Sequence, residues 1–158
     1  MGGAFFLAFH GVTGARWSTP LLPAARNLTG TLPLTAAAAG VVAIAGLFIY
    51  PWDHGEAAHG ATFWFKNAWL SPGFFVGRTV AYVALWTIVA RSLVSTRSPA
   101  GVGRSALALV ALGLSVSAAG IDWIMSLEPL WFSTMFGAYQ FAGIFVSALA
   151  ALVVLTAW

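Results

Sequence analysis

Residues 105 to 125 read S-A-L-A-L-V-A-L-G-L-S-V-S-A-A-G-I-D-W-I-M, and this run is the strongest indication of the fold class. An α-helix needs roughly 20 apolar residues to cross the hydrocarbon of a bilayer, and the run from Ser105 to Met125 meets that length. Backbone groups in hydrocarbon must be hydrogen-bonded within their own segment, so the run is predicted to be a transmembrane helix. Three more runs reach or approach the same length, namely Leu32 to Tyr50, Phe74 to Leu93 and Phe132 to Trp158.

The composition also places the chain in a membrane. Of its 158 residues, 60% are hydrophobic and 7% are charged, whereas soluble domains carry about 25% charged residues. A further apolar run from Met1 to Phe9 is too short to span a bilayer. The prediction is therefore an all-α, polytopic transmembrane helix bundle of about five segments, the first of them incomplete. Residues 1–158 are expected to form a single transmembrane helical domain, an internal portion of a longer subunit.

Several classes of function are not expected from this composition. The net charge is +3, but the seven Lys and Arg residues are dispersed between apolar runs. Recognition of nucleic acid needs a clustered basic patch, so no nucleic-acid partner is predicted. The chain has no cysteine to hold an iron–sulfur cluster or a thioether-linked haem. Only His10 lies within an apolar run, whereas a b-type haem needs paired histidines on facing helices.

The arginines and the acidic residues lie in different connectors, and this distribution predicts how the chain is oriented in the membrane. Five arginines lie in two of the connectors or at their edges: Arg16, Arg26, Arg91, Arg97 and Arg104. The other two connectors hold Asp53, Glu56, Lys66 and Glu128. Because Lys and Arg are enriched on the cytoplasmic side, the arginine-bearing loops are predicted to be cytoplasmic and the acidic ones to face outward.

The connector from Pro51 to Ser71 alternates aromatic with polar side chains. Aromatic rings favour the headgroup layer, so this loop is predicted to lie along the membrane surface. His54 and His59 lie in it near Asp53 and Glu56, a grouping that could contribute to a metal site. A short cluster in a loop is a weak signal, and we interpret these four side chains as solvated or interface residues, with no metal predicted.

Asp122 is the most informative residue in the sequence. It lies about five residues, roughly 7 Å, inside the outward end of its run, where a carboxylate is costly. Arg78 lies roughly 6 Å inside the outward end of the preceding run, so the two are predicted to meet. One interpretation is a structural ion pair, and the other is a proton acceptor near the outer surface whose carboxylate is tuned by the arginine.

Glu128 precedes Pro129 at the turn between the last two runs. An acidic residue just ahead of a helix interacts with the positive end of the helix dipole, which favours a structural role. The functional alternative is a proton outlet beside Asp122. Trp123 and Trp131 flank the same region and are typical of interfacial anchors more often than of residues that stack on a ligand.

The stretch from Asp122 to Gly143 reads D-W-I-M-S-L-E-P-L-W-F-S-T-M-F-G-A-Y-Q-F-A-G. It resembles a signature of the membrane subunits of alternative complex III, the quinol:cytochrome c oxidoreductases. The similarity is to the second large membrane subunit, often labelled quinone-binding subunit 2, a smaller relative of the polysulfide-reductase-like membrane subunit. Shorter stretches resemble the same family in the same order, namely Gly2 to Phe6, Trp17-Ser18 and Ala68 to Phe75 with Arg78.

This resemblance implies a subunit of a quinol-oxidising complex in a bacterial inner membrane, with no redox centre of its own. The implied partners are the polysulfide-reductase-like membrane subunit, an iron–sulfur subunit and multihaem cytochrome c subunits, which hold the iron–sulfur clusters and haem. Quinol, quinone or menaquinone and lipid are the implied small molecules. The implied roles are a scaffold and a proton route near the outer face that includes Asp122, Glu128 and Arg78. Many family members have His where this chain has Leu130, which removes a titratable group beside the proposed outlet.

Two alternatives stay open at this point. The chain could form a quinone pocket of its own near the outer surface from Arg78, Asp122, Trp123 and Trp131. It could also be an unrelated transporter, for which a buried pair of Arg and Asp would be ordinary. Discontinuous helices and duplicated halves would indicate a transporter, and neither is evident in the sequence.

Overall fold

A computed structural model describes residues 1–50, 68–95, 101–128 and 131–157, and all of the regular structure in these ranges is helical. The helices are α1 (Gly2–Thr13), α2 (Leu22–Gly30), α3 (Leu32–Ala45), α4 (Pro72–Val94), α5 (Val102–Trp123) and α6 (Phe136–Ala157). Short 3₁₀ turns precede α2 and follow α3 and α5, at Thr19–Leu21, Gly46–Ile49 and Met125–Leu127. The predicted all-α, polytopic bundle is confirmed.

Four helical stretches are long and apolar enough to cross a membrane, and α1 is a shorter apolar helix. The four stretches are Leu32–Ile49, Pro72–Val94, Val102–Leu127 and Phe136–Ala157. They overlap the four runs predicted from the sequence. The chain is thus a multi-pass membrane protein.

Two details differ from the sequence prediction. The last span begins at Phe136 and not at Phe132, because a turn closed by the Phe136 N–H on the Ser133 carbonyl precedes it. The connector after the first segment contains the helix α2, and Arg26 therefore lies in a helix. Helix α2 is nine residues long, and polar side chains lie between its apolar ones. Its sequence therefore does not show an apolar run of membrane length.

Helices α4 and α6 run opposite to α3 and α5, which gives the bundle two distinct ends. The hydroxyl of Tyr50, which follows α3, donates a 2.8 Å hydrogen bond to the carbonyl of Trp123 at the end of α5. Helices α4 and α6 begin at this end, which we call the Asp122 end. The opposite end holds Arg91 in the last turn of α4 and Arg104 near the start of α5, and we call it the arginine end.

Helix α2 runs directly into α3 with an interruption at Thr31. Pro33 is the physical cause, since it has no N–H to donate to the Thr29 carbonyl and its ring disfavours helical geometry at Leu32. The chain continues because the Thr35 N–H donates to the Thr31 carbonyl at 3.1 Å. This discontinuous helix was not predicted from the sequence.

The core lies where α1, α5 and α6 meet, with α2 and α4 at its sides. Phe5, Leu112 and Leu152 come from three different helices and are each 2% exposed or less. Helix α6 is the least covered of the long helices, with 6% of its most apolar window buried against 39% for the stretch that contains α5. Much of α6 therefore faces lipid or another protein.

Candidate functional site

The candidate site forms at the Asp122 end, where α4 and α5 pack side by side. Asp122 is next to last in α5 and is 1% exposed. Arg78 lies in the second turn of α4, which begins at this end, and its side chain is 10% exposed. The two helices are antiparallel neighbours, so residues a few positions from each end come together. The predicted contact between Arg78 and Asp122 is confirmed.

Arg78 holds the carboxylate with two nitrogen atoms. Its Nε donates to Oδ2 of Asp122 at 2.8 Å, and its Nη2 donates to Oδ1 at 3.1 Å. This two-pronged geometry matches the planar fork of a guanidinium to the two oxygens of a carboxylate. An ion pair removed from water is stabilised only when its remaining polar atoms are also hydrogen-bonded.

Two further donors complete the cluster. The indole Nε1 of Trp69 donates to Oδ1 of Asp122 at 2.9 Å, and the hydroxyl of Tyr82 donates to Oδ2 at 2.7 Å. A carboxylate offers about four acceptor positions, and all four are therefore occupied. Donors from three side chains thus saturate the carboxylate of Asp122.

The guanidinium of Arg78 is also held from its other side. Its Nη1 donates to the backbone carbonyl of Trp69 at 2.7 Å. Its Cζ lies 4.2 Å from the ring centroid of Trp69 and 4.6 Å from that of Phe74, which is cation–π distance. The segment before α4 is thus fixed to the cluster through Trp69.

An aromatic layer lies directly beneath the ion pair. Tyr82 stacks on Trp86 with centroids 6.1 Å apart, and Trp123 meets both rings edge-on. The indole of Trp123 donates to the Thr79 hydroxyl at 3.1 Å, and that of Trp86 donates to Ser115 at 2.9 Å. Each of these indole N–H groups is therefore satisfied, and the layer separates the ion pair from the middle of the bundle.

A pocket of about 410 Å³ opens on the other side of Asp122. Such a volume is within the range of ligand pockets. Its wall includes Trp69, Leu70, Ala118, Ile121, Asp122, Met125, Ser126, Glu128, Trp131 and Phe132. Of the residues predicted to contact a quinone, Asp122 and Trp131 line the pocket, whereas Arg78 and Trp123 are not part of its wall.

Glu128 lies at the rim of this pocket and is exposed. Its backbone N–H donates to Met125 at 3.2 Å and its carbonyl accepts from Trp131 at 3.0 Å, so the turn that carries it is hydrogen-bonded. The pocket thus combines a saturated carboxylate at its base with an exposed carboxylate at its rim.

No group of three or more His, Asp or Glu residues is placed to hold a metal ion within the described ranges. His10 is mostly buried, and its Nδ1 lies 2.7 Å from the Ser18 hydroxyl, a contact that ties the end of α1 to the following turn. Four candidates from the surface loop lie outside the described residues: Asp53, His54, Glu56 and His59. The same is true of Leu130 and of most of the loop predicted to lie on the membrane.

Sequence reasoning missed Tyr82 and Trp69 as ligands of Asp122. Tyr82 follows Arg78 by four residues and so lies on the same face of α4, a spacing that could have identified it. Trp69 gave no such signal, since it lies ahead of the helix and its position depends on how the chain enters α4. Ser126 was also missed, and its hydroxyl donates to the backbone carbonyl of Asp122.

The fold and this site define a class: a multi-pass helical membrane protein with a buried ion pair at one end of the bundle, whose carboxylate accepts four hydrogen bonds. No protein-family model matches the chain, and no curated protein matches its sequence.

Proposed function

We propose that this protein is an integral membrane subunit of a respiratory quinol:electron-acceptor oxidoreductase of the alternative complex III type. One observation carries the proposal. Two separate stretches resemble that family, Ala68 to Phe75 with Arg78 and the run that starts at Asp122, and residues from both meet in one cluster. Trp69 and Arg78 from the first stretch donate three hydrogen bonds to Asp122 from the second. Residues far apart in sequence but joined in one polar cluster are expected to belong to one functional unit.

In this proposal the chain is a scaffold and offers a proton route near the outer face of a bacterial inner membrane. The arginine end faces the cytoplasm, because positive charge is retained on that side. Electrons pass through iron–sulfur and haem groups of the partner subunits, and this chain holds neither. Asp122 and Arg78 fix the geometry of the Asp122 end, and Glu128 is the proton-exchanging carboxylate of the route.

Purification of the native complex tests the proposal. A tag on this chain is expected to recover an iron–sulfur subunit and multihaem cytochrome c subunits together with quinol oxidation. A tagged, unrelated multi-pass protein from the same membrane serves as the control. Recovery of the chain as a stable, haem-free monomer from native membranes would contradict the proposal.

The variant Glu128→Gln separates the proton route from the scaffold. It is expected to leave the complex assembled while proton release during quinol oxidation falls. Gln has nearly the same size and cannot take up a proton, so the comparison isolates titration. Unchanged proton release in the assembled complex would remove Glu128 from the route and leave only the scaffold.

The pocket beside Asp122 favours a second candidate function, the binding of a quinone by this chain itself. Trp69, Trp131 and Phe132 give its wall three aromatic rings that suit a flat ligand, and the pocket lies against the end of α5. A photoreactive quinone is expected to label Trp131 or Met125, and excess unmodified quinone is expected to prevent the labelling. Labelling that excess quinone does not reduce would argue for lipid in the pocket.

A further inference from the structure

The three side chains that donate to Asp122 differ in where they lie relative to the pocket. Arg78 and Tyr82 are not among the described residues of the pocket wall, whereas Trp69 lines the pocket and donates to Oδ1 at 2.9 Å. Asp122 also belongs to that wall, but it is only 1% exposed. Of the three donor side chains, Trp69 is therefore the one that a molecule in the pocket can touch.

Trp69 also differs from the other two donors in the backbone that carries it. Arg78 and Tyr82 lie within α4, so the helix sets their positions. Trp69 lies ahead of α4, in a turn where the hydroxyl and the N–H of Ser71 donate to the carbonyl of Ala68, at 2.9 and 3.4 Å. Connecting segments are generally less stable locally than the helices they join, so Trp69 is the donor that can move while α4 and α5 stay packed.

The movement open to Trp69 is a rotation of its side chain. Its carbonyl accepts a 2.7 Å hydrogen bond from Nη1 of Arg78, which anchors the backbone. Its indole is held by the hydrogen bond to Asp122 and by the guanidinium of Arg78, whose Cζ lies 4.2 Å from the ring centroid. Turning the ring away breaks these two contacts and costs free energy, but it requires no movement of a helix.

The position of the indole decides which carboxylate a molecule in the pocket can reach. While Trp69 donates to Oδ1, all four acceptor positions of Asp122 are taken, and a donor group in the pocket can hydrogen-bond with the exposed Glu128 at the rim. When the indole leaves, one acceptor position on Oδ1 becomes vacant, while Nη2 of Arg78 still holds that oxygen at 3.1 Å. A hydroxyl or an N–H group fits the vacant position, because it donates a hydrogen bond.

We propose that Trp69 is a gate between the pocket and Asp122. Its indole shields the carboxylate from a bound molecule, and its departure lets a hydroxyl or N–H donor of that molecule reach Oδ1. Trp69 is thus a positioning residue, since it acts through Asp122. The gate rests on the second candidate function only in that the pocket takes a ligand, and it depends neither on the respiratory role nor on a quinone. Failure of the quinone photolabelling would leave the gate standing, and failure of the gate would leave the quinone site standing.

Photolabelling with a small hydrophobic carbene precursor, trifluoromethyl phenyl diazirine, tests the gate on the full chain in native membranes. On illumination the probe attaches to the side chains around the space it occupies. Peptide mass spectrometry measures the labelling of Asp122 relative to that of Met125, which also lines the pocket. Trp69→Phe removes the indole N–H and part of the shield. Tyr82→Phe is the matched control, because it removes a donor to the same carboxylate from a residue outside the described pocket wall.

Trp69→Phe is expected to raise the relative labelling of Asp122 at least about 10-fold, because the hydrogen bond that holds the shield in place is lost. Tyr82→Phe is expected to leave the labelling close to that of the parent. Equal increases in the two variants would show that the loss of any donor loosens the cluster. Unchanged labelling in both would show that the carboxylate is not reached from the pocket. Either result would overturn the proposal.

A second substitution shows whether the probe arrives through the pocket. Ala118 lines the pocket and lies four residues before Asp122, on the same face of α5, so Ala118→Phe fills the space in front of the carboxylate. Added to Trp69→Phe, it is expected to return the labelling toward the parent value. Labelling that stays high would mean that the probe reaches Asp122 by another route, which would also overturn the gate. Trp69→Leu, which likewise lacks the N–H, replaces Trp69→Phe if that variant does not fold.

Discussion

Tyr82 and Arg78 donate to the same oxygen of Asp122, with the Tyr82 hydroxyl at 2.7 Å and the Arg78 Nε at 2.8 Å. Both donors lie on one face of α4, four residues apart, and Asp122 lies on α5. One carboxylate of α5 thus accepts hydrogen bonds from residues on two successive turns of α4. Replacing the residues of this cluster one at a time measures how much each contributes to the stability of the protein.

Asp122→Asn is expected to destabilise the protein strongly, because it leaves the guanidinium of Arg78 buried without its counter-charge. Removing one partner of a buried ion pair costs about 3–5 kcal/mol. Thermal unfolding in detergent measures the loss as a lower Tm. Glu128→Gln is the control and should leave the Tm nearly unchanged, since Glu128 is exposed.

Tyr82→Phe removes one of the four donors and keeps the ring that stacks on Trp86. A hydrogen bond to a charged group contributes about 1.5–3 kcal/mol, so a smaller fall in stability is expected than for Asp122→Asn. The measurement is the same unfolding experiment. Tyr139→Phe is the matched control, because Tyr139 is 78% exposed on α6, and an equal effect in both variants would argue against the hydrogen bond.

Arg78→Lys keeps the positive charge and is still expected to be destabilising. A lysine ammonium cannot reach both oxygens of Asp122 in the planar, two-pronged geometry, nor stack on Trp69 as a guanidinium does. Its Tm should lie between those of the parent and of Arg78→Ala. A Tm equal to the parent would mean that charge alone, and not the fork, holds the cluster.

Gly120→Ala is expected to disturb the contact between α5 and α6, since the new Cβ would lie 1.7 Å from Oε1 of Gln140. The side chain of Gln140 must then move out of its buried position. Gly113→Ala is the control on the same helix, because nothing lies within 4 Å of the position of its Cβ. There the substitution should be neutral or stabilising, since alanine favours the helix.

A double variant identifies the cause of that disturbance. Gln140→Ala combined with Gly120→Ala should recover part of the lost stability, because the clashing group is gone. Coupling of this kind is expected only between residues in contact. Additive losses in the double variant would contradict the contact between Gly120 and Gln140.

The pairing of Arg78 with Asp122 was predicted only from how far each residue lies inside the end of its apolar run. Each charged residue lies a few positions inside the same end of neighbouring segments, and antiparallel helices bring such positions together. Tyr82 was within reach of the same reasoning through its four-residue spacing from Arg78. Trp69 was not, because no periodicity governs the segment that leads into α4.

The break at Thr31 could not be predicted from the sequence, for a different reason. Pro33 is visible in the sequence, but proline is also favoured in the first turn of a helix, and here it lies in that first turn. Whether the preceding residues, Leu22–Gly30, continue in the same direction depends on what they pack against. Their contacts with α1 and α4 decide this, and such contacts cannot be read from a local pattern.

The class of protein followed from the sequence. The long runs are apolar and long enough to span a bilayer, and in lipid their backbone N–H and C=O groups are hydrogen-bonded within the run when it forms a helix. The need of Asp122 for a partner followed from the sequence as well. Packing of the helices was required to show that four donors from three side chains fill that carboxylate, and that a pocket opens beside it. The physical reason is that hydropathy is a property of each segment, whereas hydrogen-bond saturation and cavities depend on which faces of different helices meet.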